Sequence, residues 1–240
     1  MNIRPGSILS VLSLLVTLLV PNLTFAEEAG AEEAGKVKVG VLYENLGSRN
    51  LGRQISWYGN FGGVVLGYEK NYSDFWWALD GKYRYGRLSY MDYDIDTANI
   101  KGQAVVGKSY DMGGVTLKPY AGLGFDWVVQ DMRGSSDASI TEYLLVFGTR
   151  AERKFDAGMV GLDLQFDYVL GREVYYTDNE NYWARRVFDG SYSIEAGAYY
   201  EPANLPIGVR PYFKYEKWQK TKLWKYNERH HIGIETYVKF

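Results

Sequence analysis

Hydrophobic side chains alternate with polar or small ones along most of the chain beyond Val37. The longest run extends from Val160 to Gly171, with Val, Leu, Phe or Tyr at one set of alternate positions and mostly Asp, Gln or Gly at the other. Successive side chains of a β-strand point to opposite faces, so the pattern predicts strands with one apolar and one polar face. Apolar residues do not keep the spacing of an amphipathic helix over any long window. The sequence therefore predicts an all-β protein.

The alternation divides the chain into ten predicted strands. They extend over Val37–Tyr43, Gly62–Tyr68, Phe75–Tyr85, Ile100–Tyr110, Val115–Trp127, Tyr143–Thr149, Val160–Gly171, Ser191–Tyr200, Val209–Tyr215 and Ile232–Phe240. Short connections such as Lys154–Gly158 alternate with longer polar ones such as Arg172–Arg186. An even strand number with this asymmetry is typical of a transmembrane β-barrel, whose termini lie on the side of the short turns. The first two strands alternate least clearly, so eight strands remain an alternative.

The first 26 residues have the pattern of a secretory signal peptide. Arg4 precedes an apolar run from Ile8 to Val20, and small residues stand around Ala26. The run is shorter than the roughly 20 residues that a spanning helix needs. The sequence Ala-Glu-Glu-Ala-Gly occurs twice, at Ala26–Gly30 and Ala31–Gly35, and residues 27–36 are predicted to form a flexible acidic leader. Residues 37–240 remain for the barrel domain.

Two further motifs bear on the type of barrel. The segment from Lys118 to Gly124 reads Lys-Pro-Tyr-Ala-Gly-Leu-Gly, and the last strand ends on an aromatic residue. With the signal peptide and the amphipathic strands, these motifs resemble those of bacterial outer-membrane β-barrel families, which include opacity-type and small porin-like proteins. The resemblance implies a closed antiparallel up-and-down barrel in the bacterial outer membrane. It also implies insertion by the barrel assembly machinery, with a terminal signal formed by Ile232, Ile234, Val238 and Phe240.

A secreted soluble barrel of the lipocalin type is the alternative architecture. Such barrels also alternate and also close their edges, and periodicity does not tell which face points inward. Three features favour the membrane: the terminal Phe240, the alternation of short and long connections, and aromatic residues such as Trp127 and Tyr168 near strand ends.

If the apolar faces meet lipid, the charged residues of the strands point into the lumen. The predicted lumen charge network comprises Asp80, Lys82, Arg84, Lys101, Lys118, Asp126, Arg150, Glu152, Asp163, Asp167, Asp189, Glu195, Arg210, Lys214, Glu216, Arg229 and Glu235. Open aqueous channels belong to barrels of about 16 strands, and unpaired buried charges are costly. We therefore expect a largely plugged lumen with a structural or surface-interaction role, and a narrow porin-like channel for small solutes as the alternative.

Few residues support the hypothesis of an enzyme. Asp92, Asp94 and Asp96 alternate before the fourth strand and offer carboxylates to a cation, although a solvated acidic loop is the commoner explanation. Carboxylates in loops also resemble those of omptin surface proteases, but the matching connection holds Asp178 and no histidine.

The two histidines give little further support for catalysis. His230 and His231 are adjacent on one strand and point to opposite faces, so they do not bind one metal together. Lipid-A-modifying barrels pair a histidine with a serine, for which Ser48 is the candidate here. We predict no catalytic residues, no metal and no cofactor.

Composition narrows the set of partners. Lys and Arg number 27 against 29 Asp and Glu, so no basic field exists for nucleic acid. The chain has no cysteine, which excludes disulfides and thiolate chemistry. The aromatic and charged connections Tyr175–Trp183 and Lys217–Lys225 suit a surface ligand or lipopolysaccharide. We expect a monomer that contacts outer-membrane lipid and lipopolysaccharide.

Overall fold

A computed structural model describes most of the chain beyond residue 34. The described residues are 35–50, 55–72, 75–90, 93–132, 136–178, 181–187, 190–218 and 227–240. The predicted signal peptide and residues 27–34 of the predicted leader lie outside them. No helix in this part of the chain is long and apolar enough to cross a membrane.

The described residues form twelve β-segments, ten of which build one barrel. They are β1 Lys36–Asn50, β2 Ile55–Tyr72, β3 Phe75–Tyr90, β4 Tyr93–Lys108, β5 Tyr110–Asp111, β6 Thr116–Met132, β7 Ser136–Phe155, β8 Gly158–Asp178, β9 Asn181–Val187, β10 Tyr192–Pro202, β11 Ile207–Trp218 and β12 Asn227–Lys239. The short β5 pairs with the beginning of β6. The short β9 pairs with the far end of β8, next to the place where β10 pairs with β8.

All neighbouring strands pair antiparallel, and the last strand pairs with the first. The β1–β12 register extends from Lys38 opposite Lys239 to Asn50 opposite Asn227. Val37 and Phe240 continue it with two reciprocal backbone hydrogen bonds of 3.0 Å. Closure leaves no open edge in the barrel wall, as a strand structure in lipid requires. The predicted closed antiparallel barrel of ten strands is confirmed.

Several predicted long loops prove to be strand. The segment Arg172–Arg186 was expected to be a loop, yet β8 continues to Asp178 and β9 begins at Asn181. Likewise β3 ends at Tyr90 and β4 begins at Tyr93. Beyond the apolar band both faces of a strand meet polar surroundings, so a strand can pair there without an apolar face. The sequence of such a segment therefore shows only a weak alternation of hydrophobic and polar residues.

The apolar faces point outward. Val41, Leu123 and Leu162 are 62%, 62% and 61% exposed, whereas Glu44 and Glu235 are each 1% exposed. A soluble barrel would bury its apolar face, so the lipocalin-type alternative is wrong. The outer surface is instead the lipid-facing band of a transmembrane barrel. Apolar residues inside the barrel form one cluster along the β3–β8 wall, around Trp76 and Val146, and two near the end remote from the termini.

Aromatic rings inside the barrel lie against glycines of the neighbouring strand. An ideal Cβ on Gly161 would lie 2.0 Å from the Tyr199 ring, and the two residues are register partners. The other such pairs are Tyr120 with Gly148, Tyr212 with Gly233, Tyr237 with Gly208, Trp76 with Gly107, and Phe61 with Gly86. Glycine lets a large ring lie along the wall of a narrow lumen. This arrangement explains why a chain rich in tyrosine is also rich in glycine.

Replacing Leu164 by Arg should destabilise the folded barrel by about 2–4 kcal/mol, the cost of an arginine at the bilayer midplane. Leu164 lies in the middle of the outward apolar run of β8 and is 50% exposed. Guanidinium unfolding of protein refolded in lipid vesicles measures the change. Met112→Arg is the control, because Met112 is 65% exposed in a short hairpin. Equal effects of the two substitutions would contradict the assignment of the lipid face.

Replacing Gly161 by Val should destabilise the barrel by about 1–3 kcal/mol, as overpacking of a closed site does. The new side chain would displace the Tyr199 ring and its 2.7 Å hydrogen bond to Glu152. Gly81→Val is the control, since a Cβ on Gly81 meets nothing within 4 Å. The same unfolding measurement applies. A neutral Gly161 variant would show that the ring does not depend on the glycine.

Candidate functional site

The lumen is divided into an open half and a filled half. At the end that holds both termini lies a cavity of about 130 Å³, which we name the vestibule; Lys36, Glu69, Lys82, Arg210 and Lys239 are among its lining residues. The cavities toward the other end have volumes of only about 20 and 10 Å³. Since short hairpins and termini face the periplasm in outer-membrane barrels, the vestibule is periplasmic.

Two cations, Arg210 and Lys82, form ion pairs at the inner end of the vestibule, which we name its floor. The Arg210 guanidinium lies 2.7 Å from Glu195, 3.3 Å from Glu235 and 3.0 Å from Asp163. The Lys82 ammonium lies 2.7 Å from Glu235 and 3.3 Å from Glu195. These residues come from five different strands, so their ion pairs connect walls of the barrel that are far apart in the sequence.

A second group surrounds the vestibule nearer its mouth. Arg150 donates to Glu69 at 2.7 Å, and Lys118 lies 3.5 Å from Glu69 and 3.0 Å from Glu152. Tyr199 donates its hydroxyl proton to Glu152 at 2.7 Å. Cations and carboxylates thus alternate around the wall, and each carboxylate here has a cationic partner.

A third group fills the lumen beyond the floor. Glu44 accepts hydrogen bonds from Arg84 at 2.8 and 2.9 Å and from the Tyr212 hydroxyl at 2.5 Å, and its carboxylate lies 2.8 Å from Nδ1 of His231. Arg84 also donates to Asn99 at 2.7 Å, and Asn99 in turn contacts Asp126. Lys101 reaches across to Asp167 at 2.7 Å. Charged side chains therefore occupy the middle of the lumen from several sides.

Apolar and stacked side chains occupy the extracellular end of the lumen. The Trp218 ring lies between two guanidinium groups, with Arg172 at 4.1 Å and Arg229 at 3.9 Å from its centre. Arg172 also donates to Glu142 at 2.7 Å. Two apolar clusters complete this group of side chains, which we name the cap; they contain Leu46, Phe61, Leu88 and Ile95, and Val128, Ile140 and Trp218.

The structure places the sequence-predicted charge network inside the barrel, apart from Asp189, which lies outside the described residues. The described members each make a polar contact in the lumen. Sequence reasoning missed several partners: Glu44, Glu69, Glu142, Arg172 and His231. Each of them stands one residue beyond the end of a predicted strand. Extending the alternation across a charged residue, instead of ending the strand there, would have found them.

The terminal residues assigned to assembly lie on β12 and at its end. Ile232 and Ile234 face outward and are 66% and 44% exposed, and Phe240 is 66% exposed. Val238 lies opposite Val39 and Ile207 in the two neighbouring registers.

The candidate cation site is only partly described. Asp92 lies outside the described residues. Asp94 and Asp96 both form ion pairs with the guanidinium group of Arg87, at 3.5 Å and 2.7 Å. Ser89 also donates to Asp94 at 2.7 Å. Within the described ranges no group of three His, Cys, Asp or Glu residues is arranged to hold a metal ion.

The two histidines face opposite sides of β12, as their adjacency predicts. His231 is 1% exposed in the lumen, and His230 lies outside, with its ring centre 5.2 Å from that of Tyr215. Ser48 is the register partner of Arg229 on the neighbouring strand. Of the two connections predicted to bind a surface ligand, Tyr175–Trp183 and Lys217–Lys225, residues 179–180 and 219–225 lie outside the described part of the chain.

Comparison with known proteins gives a likeness in structure alone. No protein-family model and no curated protein matches the chain. The outer membrane protease OmpT from Escherichia coli is similar over 86% of this chain and 96% of its own, with 8% identity and a TM-score of 0.55. The translocator domain of the autotransporter NalP from Neisseria meningitidis covers 96% of this chain and 97% of its own, with 10% identity and a TM-score of 0.45. Neisserial surface protein A covers 85% and 97%, with 14% identity and a TM-score of 0.44.

The likeness to OmpT agrees with the features of the chain itself. The barrel is closed, its outer face is apolar and its lumen is charged. The resemblance noted in the sequence is confirmed at the level of fold. The chain therefore has the fold of the bacterial outer-membrane β-barrels.

Proposed function

We propose that the barrel is a non-conducting outer-membrane scaffold, with a plugged lumen and a role in structure or surface interaction. The observation that carries this proposal is the filled extracellular half of the lumen. There the charged group around Glu44 and Arg84 is followed by the cap, and two cavities among the described residues measure about 20 and 10 Å³. Such volumes hold one or two water molecules and no hydrated ion.

The energetics of the charged groups support a closed lumen. A solute that passes must separate ion pairs such as Arg84–Glu44, which are almost fully removed from solvent. Breaking a buried pair leaves a charge without compensation, at a cost of about 3–5 kcal/mol for a single pair. Several such pairs lie in series between the vestibule and the cap. A narrow channel would require these side chains to move together.

The likeness to OmpT raises protease activity as another role. The geometry gives it little support: His231 is buried in the lumen and His230 stands on the outer face against Tyr215. Neither histidine is therefore in a position to act as a general base on a protein substrate outside the cell. The two carboxylates of Asp94 and Asp96 are engaged by Arg87.

Surface interaction is the active part of the proposed role. Strands β7 and β8 contain 20 and 21 residues, against 11 and 12 in β10 and β11. At about 3.3 Å per residue this difference corresponds to roughly 30 Å of additional strand. The extracellular ends of β7 and β8, together with β9, are therefore the elements that we assign to contact with a surface ligand.

In planar bilayers, the wild-type barrel should give no steady ion current. The triple variant Arg84→Ala, Arg210→Ala and Trp218→Ala should conduct, with a preference for cations. Its lumen would lose two guanidinium groups and the stacked ring of the cap, while Glu44, Glu195 and Glu235 stay behind without their arginine partners.

Arg87→Ala is the matched control for this experiment, because Arg87 lies on the outer face of β3 and should leave the current at baseline. Heat-modifiable mobility on a gel verifies that each protein is folded before it is measured. A steady current through the folded wild type would contradict the plugged lumen, whatever the variants do.

Arg84→Met should destabilise the barrel by about 3–5 kcal/mol, because it leaves the buried Glu44 without its guanidinium partner. Adding Glu44→Gln to the same protein should recover part of the loss, since the remaining charge is removed. Guanidinium unfolding in lipid vesicles measures all three proteins. Arg87→Met serves as the exposed control and should have a much smaller effect. If the double variant is less stable than Arg84→Met alone, the pair does not act as described.

A further inference from the structure

Three of the periplasmic hairpins carry the same pair of side chains on their outer face. Each has a cation two residues before an aromatic ring, and the cation lies over that ring. Lys70 is 5.1 Å from the centre of the Tyr72 ring, and Lys108 is 5.7 Å from that of Tyr110. On the third hairpin, Arg153 is 5.0 Å from the centre of the Phe155 ring. We name these three pairs the basic girdle.

The girdle lies where the apolar band ends. Tyr72, Tyr110 and Phe155 are 37%, 47% and 51% exposed, and they continue the outward series of their strands. Tyr72 also stacks on Phe75 at 5.1 Å across the first hairpin. Aromatic rings at this level mark the membrane interface. A cation that lies on such a ring is held at the depth of the lipid headgroups instead of extending into water.

The charge around the girdle is predominantly positive. Lys154 adds a further exposed cation beside Arg153. The acidic residues described on these hairpins are Asp111 and Asp156, and Asp111 accepts a backbone hydrogen bond from Gly114 at 3.3 Å. At the opposite end of the barrel the outer face is different, since carboxylates such as Asp94, Asp96 and Glu228 stand among its cations.

We propose that the basic girdle binds anionic phospholipid headgroups of the periplasmic leaflet. A phosphodiester would accept hydrogen bonds from the cation, while the ring beneath it contacts the glycerol and the first methylenes of the acyl chains. Charge complementarity selects an anionic lipid over a zwitterionic one, whose own ammonium group would face the girdle. Each cation near an anionic membrane surface corresponds to about a fivefold gain in binding.

The fourth periplasmic hairpin lacks this arrangement. Between β10 and β11 the chain reads Pro-Ala-Asn-Leu-Pro-Ile, without a cation, and Leu205 is 56% exposed. Anionic lipid should therefore collect along β2 to β8 and not along β10 and β11. One side of the barrel would thus prefer anionic lipid, whereas the other side would have no preference.

A tryptophan beside the girdle can report lipid binding by its fluorescence. Trp77 is the register partner of Lys70, and its ring centre is 5.2 Å from that of Tyr68. The test refolds the full barrel in phosphatidylcholine vesicles that contain an equal mole fraction of either brominated phosphatidylglycerol or brominated phosphatidylcholine. Quenching of tryptophan fluorescence is compared with that of the Trp77→Phe variant, so that the contribution of Trp77 is isolated.

Brominated phosphatidylglycerol should quench Trp77 with a relative binding constant about fivefold above that of the brominated zwitterionic lipid. The preference should disappear in the variant K70Q/K108Q/R153Q and weaken at high salt, which screens exposed charge. It should persist in the charge-conserving variant K70R/K108R/R153K. Lys154→Gln is the matched control, because this lysine is exposed on the same hairpin as Arg153 but is outside the three pairs.

Equal quenching by the two lipids in the wild type would overturn the proposal, and so would a preference that survives in the triple glutamine variant. If that variant does not fold, as judged by gel mobility, Lys70→Gln alone decides the question, since Lys70 is the girdle cation next to the reporter. Loss of the preference in the Lys154→Gln control would assign the effect to general surface charge and also overturn the proposal.

Discussion

The pairing of β12 with β1 is the interaction on which the rest of the structure depends. Within hydrocarbon the backbone can hydrogen-bond only to itself, so a sheet is stable there only when it has no edge. The long β1–β12 register, extended by the bonds between Val37 and Phe240, removes that edge. Closure at ten strands then fixes the radius of the lumen. That radius is too small for a wide water column and too large to remain empty, so side chains must fill it.

Filling the lumen with charge creates a second requirement, which is that every charge must find a partner across the barrel. Neighbours on one hairpin cannot provide this alone, because facing cations such as Lys82 and Lys101 are register partners. The solution is contact between walls that are distant in sequence: Lys101 with Asp167, and Glu44 with Tyr212. These contacts exist only after closure, so the backbone ladder and the lumen network depend on each other. Rings lying against glycines leave the charged side chains the space to meet.

The alternation in the sequence determined the fold, since side-chain direction in a strand follows from the backbone alone. It predicted the strand number and the inward direction of residues such as Arg210 and Glu235. It did not predict which residues pair, because contacts such as Arg84 with Glu44 join strands whose relative height depends on the stagger of the closed barrel. The strand ends were placed too early for a related reason. A charged residue after an apolar run looks like the beginning of a loop, whereas in a lumen it is the ordinary continuation of the inward face.

Where the alternation changes, the lining of the lumen changes with it. Leu46, Phe61 and Ile140 are apolar residues that point inward, whereas their neighbours in the sequence are Asn, Gly, Ser or Thr, so here the apolar positions of the alternation lie on the lumen face and not on the outer face. These positions form the cap, and their strands include the first two, which alternated least clearly in the sequence. The cap is lined by apolar side chains, whereas the vestibule is lined by charged ones. The polarity of the lumen therefore changes along its axis, because the apolar positions of the alternation pass from the outer face of the strands to the lumen face.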